Sequence, residues 1–463
     1  MLEMLQQIVF IIVLGTSIYF AIRQYRKVFF YIKLGDAVAL DKSERLARFK
    51  RVVLFALGQK KMFKKWIPAV LHLCIYLAFV ITQVELLEII VDGISGTHRI
   101  FASALGSFYT IVINSIELLS VTAFFATFAF LWRRNMLKVP RFVKSEMKGW
   151  PRLDANLILV GEALLIIGIF TMNGADVILQ ELDPTHYPET GYLLVSDNLG
   201  PALFSQFSYD ALAILERVGW WLHFIVVLGF IHYLPVSKHL HIFLAFPNAY
   251  FAKLTPRGEL ENMPVIANEV RSMMGMPPIV QDGLNNSHSE DEGASELPDF
   301  GAADVTQLSV IDLLGAFSCT ECGRCTEVCP ANITGKKLSP RKIMMDIRDR
   351  ATELGNAMLS QNRNQQNEVN AEGTEKTGYG GDGKNLFDRI TREELHACTT
   401  CQACVEACPV LINPMDPIIK MRRYEILTES AGPAEWVPMF NAMENGGAVW
   451  PVSDSRSSWT NEM

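Results

Sequence analysis

Five stretches of the chain, residues 7–22, 67–91, 103–132, 155–179 and 211–234, are apolar runs with few charges. Four of them are long enough to cross about 30 Å of hydrocarbon at about 1.5 Å per helical residue. The first reaches that length only if its flanks continue the helix. A soluble protein with buried helices rarely carries several such runs, so the pattern predicts a transmembrane bundle of five helices over 1–241. A signal peptide fits residues 1–22 poorly, because no basic region precedes the run and no small-residue cleavage site follows. Beyond 241 the pattern shortens. Residues 242–300 read as an amphipathic connector, rich in Phe, Met and Pro, that ends in a polar, acidic linker over 281–300. Residues 301–430 carry helix start signals: Ser339-Pro340, the capping box Thr391-x-x-Glu394, and Asp416-Pro417. No alternating strand pattern appears there, so the whole chain is expected to be mainly α. Residues 356–384 are almost without apolar content and read as a mobile insertion. The tail, 431–463, places Trp436, Trp450 and Trp459 in loop-like sequence, either to hold a partner or to fold back.

Charge orients the bundle. Residues 23–66 carry thirteen Lys or Arg and 133–153 carry seven, whereas 92–102 carry one and 179–209 none. Basic loops mark the cytoplasmic side. The N-terminus is therefore expected outside, and the C-terminal half in the cytoplasm of a cell whose inner membrane holds the bundle. The net charge of −7 averages two unlike faces and says little about partners; no nucleic-acid partner is expected.

Eight of the nine cysteines fall in two copies of one phrase, CTECGRCTEVCP at 319–330 and CTTCQACVEACP at 398–409. Each copy is C-x2-C-x2-C-x3-C followed by proline. Three cysteines at this spacing wrap one 4Fe–4S cluster, and the fourth serves the other cluster in two-cluster proteins. One cluster is thus expected on Cys319, Cys322, Cys325 and Cys408, and the other on Cys398, Cys401, Cys404 and Cys329. Zinc ribbons instead pair two C-x2-C knuckles across a longer spacer. The soluble half is accordingly expected to be an α-helical dicluster ferredoxin domain. Cys74, inside the second run, reads as a packing residue.

Histidines inside apolar runs are functional candidates. The fifth run and its exit contain His223, His232, His239 and His241, and the second contains His72 near its basic edge. If the helix continues, His223 and His241 share a face about 27 Å apart along the axis. His72 lies at the depth of His239 and His241, which suggests a bis-histidine b haem, with His241 preferred on phase and His239 the alternative. A second haem would need a partner for His223. The second run offers Thr82, Gln83 and Glu85 there, and the outer loops offer His186 and, closer, His98. Glu117 and Glu162 could serve quinone protonation or simple hydrogen bonding. Lys238 reads as a snorkelling interfacial residue.

The spans, with W-x2-H at 220–223 and PVSKHLHIF at 235–243, resemble the gamma subunit of respiratory nitrate reductase and related cytochrome b subunits. The later half, with CPANITGKKLSPRKI and CPVLINPMDPIIKMRR, resembles the paired-cluster domain of membrane-associated heterodisulfide reductase-like proteins. The same fusion occurs in bacterial iron–sulfur oxidoreductases proposed to work between electron-transfer flavoprotein and menaquinone. The resemblance implies one or two b haems, with His72, His223 and His241 at the family's ligand positions, and a quinone site. The family's other second-span histidine would fall near Thr82. Relatives often carry CCG domains after the ferredoxin part, and this sequence has none, so a separate CCG-domain subunit or an electron-transfer flavoprotein is the expected cytoplasmic partner. No G-x-G-x-x-G nucleotide fingerprint is present. The expected role is a membrane-bound electron-transfer subunit of a quinone-linked oxidoreductase; the alternatives are a quinol-oxidising subunit reducing a disulfide-type acceptor and a haem-free anchored ferredoxin.

Overall fold

The computed structural model describes residues 2–38, 40–256, 258–260, 262–279, 300–367, 382–450 and 460. Among them every regular element is helical, apart from one isolated bridge between Asp36 and Ser309. Most of the acidic linker, residues 368–381 of the expected insertion, and Trp459 lie outside the described residues.

Five helices are long and apolar enough to cross a membrane: Met4–Ile32, Trp66–Ser95, Ser107–Asn135, Trp150–Leu182 and Tyr209–Val236. The first attains its length because the helix runs on past its apolar stretch to Ile32. Its last turns leave the bundle and enter the other half of the protein, where Val28, Tyr31 and Ile32 are buried. Tyr31 there donates to Asn356 Oδ1 at 2.7 Å. The second span breaks at Thr82, whose hydroxyl donates to the Ala78 carbonyl at 2.8 Å. Such back-bonding bends helices. The fourth and fifth spans approach most closely at Gly168 and Gly219. A Cβ on Gly219 would stand 2.6 Å from the Met172 amide nitrogen, so only glycine permits this crossing.

The fifth span does not continue through His241. Its helix ends at Tyr233, and turns over Leu234–Val236 and Lys238–Leu240 precede a new helix, His241–Phe251. Pro235 lacks an amide donor and resets the chain direction, so His223 and His241 do not share a face of one helix. The new helix is more than a connector. Leu244, Ala245 and Ala249 are buried, Ser318 Oγ donates to the Leu244 carbonyl at 3.2 Å, and Asn248 Nδ2 donates to the Val410 carbonyl at 2.6 Å.

The C-terminal half has one core, built from Leu313, Phe317, Ile343, Ile347, Ile418 and Met421 with the end of the first span. The capping boxes at Ser309/Asp312 and Thr391/Glu394 start their helices. Lys342 N lies 3.4 Å from Ser339 Oγ at the start of the helix Pro340–Asn367. The last helix start falls at Met415, where Asn413 accepts from Met415 N at 3.1 Å, and Asp416 instead pairs with Lys253 at 2.7 Å. The segment expected as an insertion from 356 begins as helix, which runs to Asn367. Met358 and Leu359 pack against the core and extend it. Trp436 folds back edge-on against His396 at 5.0 Å, while Trp450 stays exposed.

Arg350 is wholly buried. It holds Asp304 through contacts of 2.6–3.2 Å, Asp382 at 2.5 Å, and the Lys384 carbonyl at 2.6 Å. It thereby ties down the chain re-entering the core after residue 381. Arg350→Met leaves the buried Asp304 carboxylate without its cation, a loss of about 3–5 kcal/mol. Thermal unfolding of the purified protein, followed by circular dichroism and iron–sulfur absorbance, should show the C-terminal half melting first in this variant.

Candidate metal centre

The two cysteine phrases fold the same way. Glu321 and Gly323 in the first, at φ 51° and 71°, match Thr400 and Gln402 in the second, at φ 55° and 58°. Left-handed residues on either side of the second cysteine curl each loop into a concavity of backbone amides suited to an anionic group. Backbone amides reach sulfur, for example Thr400 N, 3.4 Å from Cys398 Sγ, and, beyond the second loop, Ile412 N, 3.3 Å from Cys408 Sγ. The fourth cysteine of each copy crosses over. Cys319, Cys322, Cys325 and Cys408 line one cavity with Met344 and Ile412. Cys329 lies within electrostatic reach of Cys398 and Cys401, as does Cys404 of those two and of Cys329.

Burial, reinforced by neighbouring sulfurs, pushes the Cys319 and Cys404 thiols up to about 12 and Cys408 up to about 11. Four thiolates so close in an apolar cradle require cationic metal between them, which fits an iron–sulfur cluster. Among the described residues, no three His, Cys, Asp or Glu converge closely enough to hold a single metal ion. The two cradles differ in exposure: Cys319 and Cys408 are buried in the first, whereas the second has Cys329 buried but Cys401 at the surface.

The imidazoles separate by which ring nitrogen is engaged. His72 Nδ1 meets Gln59 Oε1 at 3.1 Å, His241 Nδ1 meets the Lys238 carbonyl at 3.1 Å, and His223 Nδ1 meets the Leu165 carbonyl at 3.3 Å. With Nδ1–H donated to an oxygen, Nε2 carries the lone pair, as in histidines that bind metal. His98 and His232 differ, since their Nε2 atoms engage Asp176 at 2.8 Å and Ser17 at 2.9 Å. His72, His239 and His241 form one group: the His239 and His241 rings are 5.6 Å apart, and both interact electrostatically with His72. Burial holds His239 and His241 below the ordinary histidine value, so both stay neutral. His98 belongs elsewhere, stacked edge-on against Tyr187 in a cluster around Arg99 and Asp176. The structure does not bring it beside His223. Thr82 spends its hydroxyl on its own helix. Glu117 is a cap: its carboxylate accepts from Val195 N at 2.9 Å and Ser196 N at 3.2 Å, ahead of the helix Ser196–Phe204. Glu162 accepts from Thr127 at 3.2 Å.

The cysteine loops seat on the basic loops of the bundle. Glu327 pairs with Lys65 and Arg141, both at 2.6 Å, and Glu406 pairs with Lys64. Glu146 accepts from Arg341 and Ser339, both at 2.8 Å. Arg324 donates to the carbonyls of Lys61 and Met62 at 3.2 and 3.4 Å, one turn beyond Gln59, which holds His72. Lys238 is not a snorkelling residue. It is 6% exposed, and its Nζ contacts Glu321 Oε2 at 2.6 Å. The docking residues Glu321, Arg324, Glu327 and Glu406 occupy positions between or beside the cysteines. For the three glutamates only their charge opposite two basic loops could have flagged them, and Arg324, which meets carbonyls, left no such signal.

Residues 318–412 match the family model for the 4Fe–4S dicluster domain. This part of the chain is a dicluster ferredoxin domain. It holds two 4Fe–4S clusters through its eight cysteines and follows five candidate membrane spans. The chain is similar to the probable iron–sulfur-binding oxidoreductase FadF of Bacillus subtilis, with 26% identity over 98% of this chain and 61% of that protein. It is also similar to the EtfAB:quinone oxidoreductase of Syntrophomonas wolfei, with 25% identity over 88% of this chain and 53% of that protein. A probable membrane-anchored ferredoxin of Chromohalobacter salexigens shares 34% identity over 33% of this chain and 22% of its own length. The chain thus spans between half and two thirds of the first two relatives. No solved structure matches it.

The dicluster domain is held to the bundle partly by carboxylates. Burial alone would raise Glu146 and Glu327, but hydrogen bonds and charge from Arg341, and from Lys65 and Arg141, hold both below the ordinary glutamate value. A depressed folded value means that this contribution is present at neutral pH and is lost as pH falls through and below the ordinary glutamate range. Hydrogen–deuterium exchange over 140–148, expressed as protection relative to the intrinsic rate at each pH, should therefore be high at pH 7 and fall on acidification. Raising the pH above 7 should leave that protection unchanged.

Proposed function

We propose that this chain is the membrane-bound electron-transfer unit of a quinone-linked oxidoreductase, joining a redox partner on the side of its basic loops to the quinone pool. The observation that carries the reading is the contact between the first cysteine loop and the segments that flank the imidazole group. Arg324 reaches the turn that follows Gln59, the partner of His72, and Glu321 holds Lys238, the neighbour of His239. Iron–sulfur clusters and b haem each carry one electron at a time, so together they link a two-electron partner to quinone chemistry.

In this reading one cluster takes Cys319, Cys322, Cys325 and Cys408, and the other takes Cys398, Cys401, Cys404 and Cys329. The second faces the partner, because Cys401 reaches the surface. The first faces the bundle. His72 and His241 hold an inner b haem through Nε2, with Gln59 and the Lys238 carbonyl orienting the rings, and His239 stands beside them. His223 is prepared in the same way through the Leu165 carbonyl and serves as one ligand of an outer haem. The positive-inside rule places the basic loops, and with them the dicluster domain, in the cytoplasm, with the N-terminus outside. The names of the relatives support the partners: electron-transfer flavoprotein on the cytoplasmic side, with a CCG-domain subunit as the alternative, and quinone, menaquinone by resemblance, in the membrane. The likeness to a membrane-anchored ferredoxin supports a second reading, in which the spans anchor the dicluster domain and no haem is bound.

Haem b per chain in detergent-purified protein, read by pyridine haemochrome, separates the two. A value of one or two is expected, falling by one in His72→Ala with iron–sulfur content unchanged. No haem alongside full iron–sulfur content would leave the anchored ferredoxin. Cys408→Ser and Cys329→Ser should each abolish one cluster, Cys408→Ser removing the cluster of the first copy although Cys408 lies in the second. Electron paramagnetic resonance with iron analysis reads both outcomes.

A further inference from the structure

A buried charged chain connects the first cysteine loop to the turn that bears His239 and His241. Lys238 Nζ contacts Glu321 Oε2 at 2.6 Å and the Pro151 carbonyl at 2.6 Å, and lies 3.7 Å from Asp154. Glu321 Oε1 accepts from Arg348 at 2.9 Å. Lys238 and Glu321 are 6% and 4% exposed. Asp154 is not free to neutralise Lys238 by itself, because it also accepts from Tyr233 at 2.7 Å, Ser237 Oγ at 2.6 Å and Lys238 N at 3.2 Å. Glu321 sits between Cys319 and Cys322 in the left-handed conformation, so its backbone belongs to the cluster loop itself.

A buried ion pair is a poor way to gain stability, because apolar residues of the same size usually do as well. What it supplies is register and a fixed electric field. Glu321 carries a negative charge at the edge of one redox site, and Lys238 a positive charge between that site and the imidazoles. A charge close to an iron–sulfur cluster shifts its reduction potential, since reduction adds a negative charge to the same region.

We propose that Lys238 and Glu321 are a pair of positioning residues that seat the first cysteine loop on the 237–241 turn and set the reduction potential of the cluster that loop holds. The pair rests on the electron-transfer reading above. Its readout is an iron–sulfur potential, so it fails or stands independently of haem content.

The test is a potentiometric titration of the full-length detergent-purified protein, with both clusters followed by electron paramagnetic resonance. Removing one unit charge at an effective dielectric of about 20 moves a nearby equilibrium by roughly tenfold, about 59 mV for one electron. Glu321→Gln should raise the midpoint of the first-copy cluster, and Lys238→Met should lower it. The double variant should return it towards the original value, and the second-copy cluster should not move in any of them. A merely structural role would loosen the loop in both single variants and give shifts without opposite signs. Shifts of the same sign, or intact clusters with unmoved midpoints, overturn the proposal. If either single variant assembles no cluster, Arg348→Met removes the other cation on Glu321. A lowered midpoint then supports the proposal and an unchanged one overturns it.

Discussion

The protein depends on a charge match between two parts of the chain far apart in sequence. The loops before the second span and before the fourth are rich in Lys and Arg, and the cysteine phrases carry glutamates at Glu321, Glu327 and Glu406. Lys64, Lys65, Arg141 and Lys238 meet those glutamates, and Glu146 reaches back to Arg341. Basic residues beside membrane spans are usually left to water and lipid headgroups. Here they form the seat of the dicluster domain. Exposed pairs such as Lys65 with Glu327 contribute little singly, but the buried ones, Lys238 with Glu321 and Arg341 with Glu146, cannot be broken without stranding a charge.

Both cysteine loops meet the bundle, the first at Lys238 and the carbonyls of Lys61 and Met62, the second at Lys64 through Glu406, while the second also exposes Cys401. The end of the first span adds a mechanical tie: Val28, Tyr31 and Ile32 are core residues of the C-terminal half, and Asp36 bridges to Ser309. The spans and the dicluster domain therefore share side chains as well as surface contacts, which limits rocking of one on the other.

The other end of the bundle is held by a buried polar cluster. Arg99 donates to Asn173 at 2.5 Å and to Asp176 at 3.3 Å, Tyr109 donates to Glu88 at 2.7 Å, and Asp92 accepts from the Arg99 amide at 2.8 Å. In an apolar surrounding, polar groups that find one another are costly to separate. This accounts for His98, which completes the cluster through Asp176, and for Glu117, which caps a helix. Each had a plausible ligand or proton-handling role on sequence position alone.

What the sequence determined by itself is local or periodic. Apolar runs specify spans because a helix in hydrocarbon must satisfy its backbone within itself, whatever surrounds it. Eight cysteines and two prolines specify two clusters because the spacing already brings the sulfurs round one centre. The nearness of His72 to His241 was legible from depth, although the helical-phase argument for His241 does not hold once Pro235 restarts the helix. Only the tertiary structure decided which ring nitrogen each histidine offers, since that depends on oxygens such as Gln59 Oε1 that reach it through the fold. It also decided that residues 241–251 and the end of the first span belong to the core of the C-terminal half, and that Lys238 faces a glutamate 83 residues away. Long-range charge pairing leaves no periodic trace in a sequence, because either partner alone reads as an ordinary solvated residue.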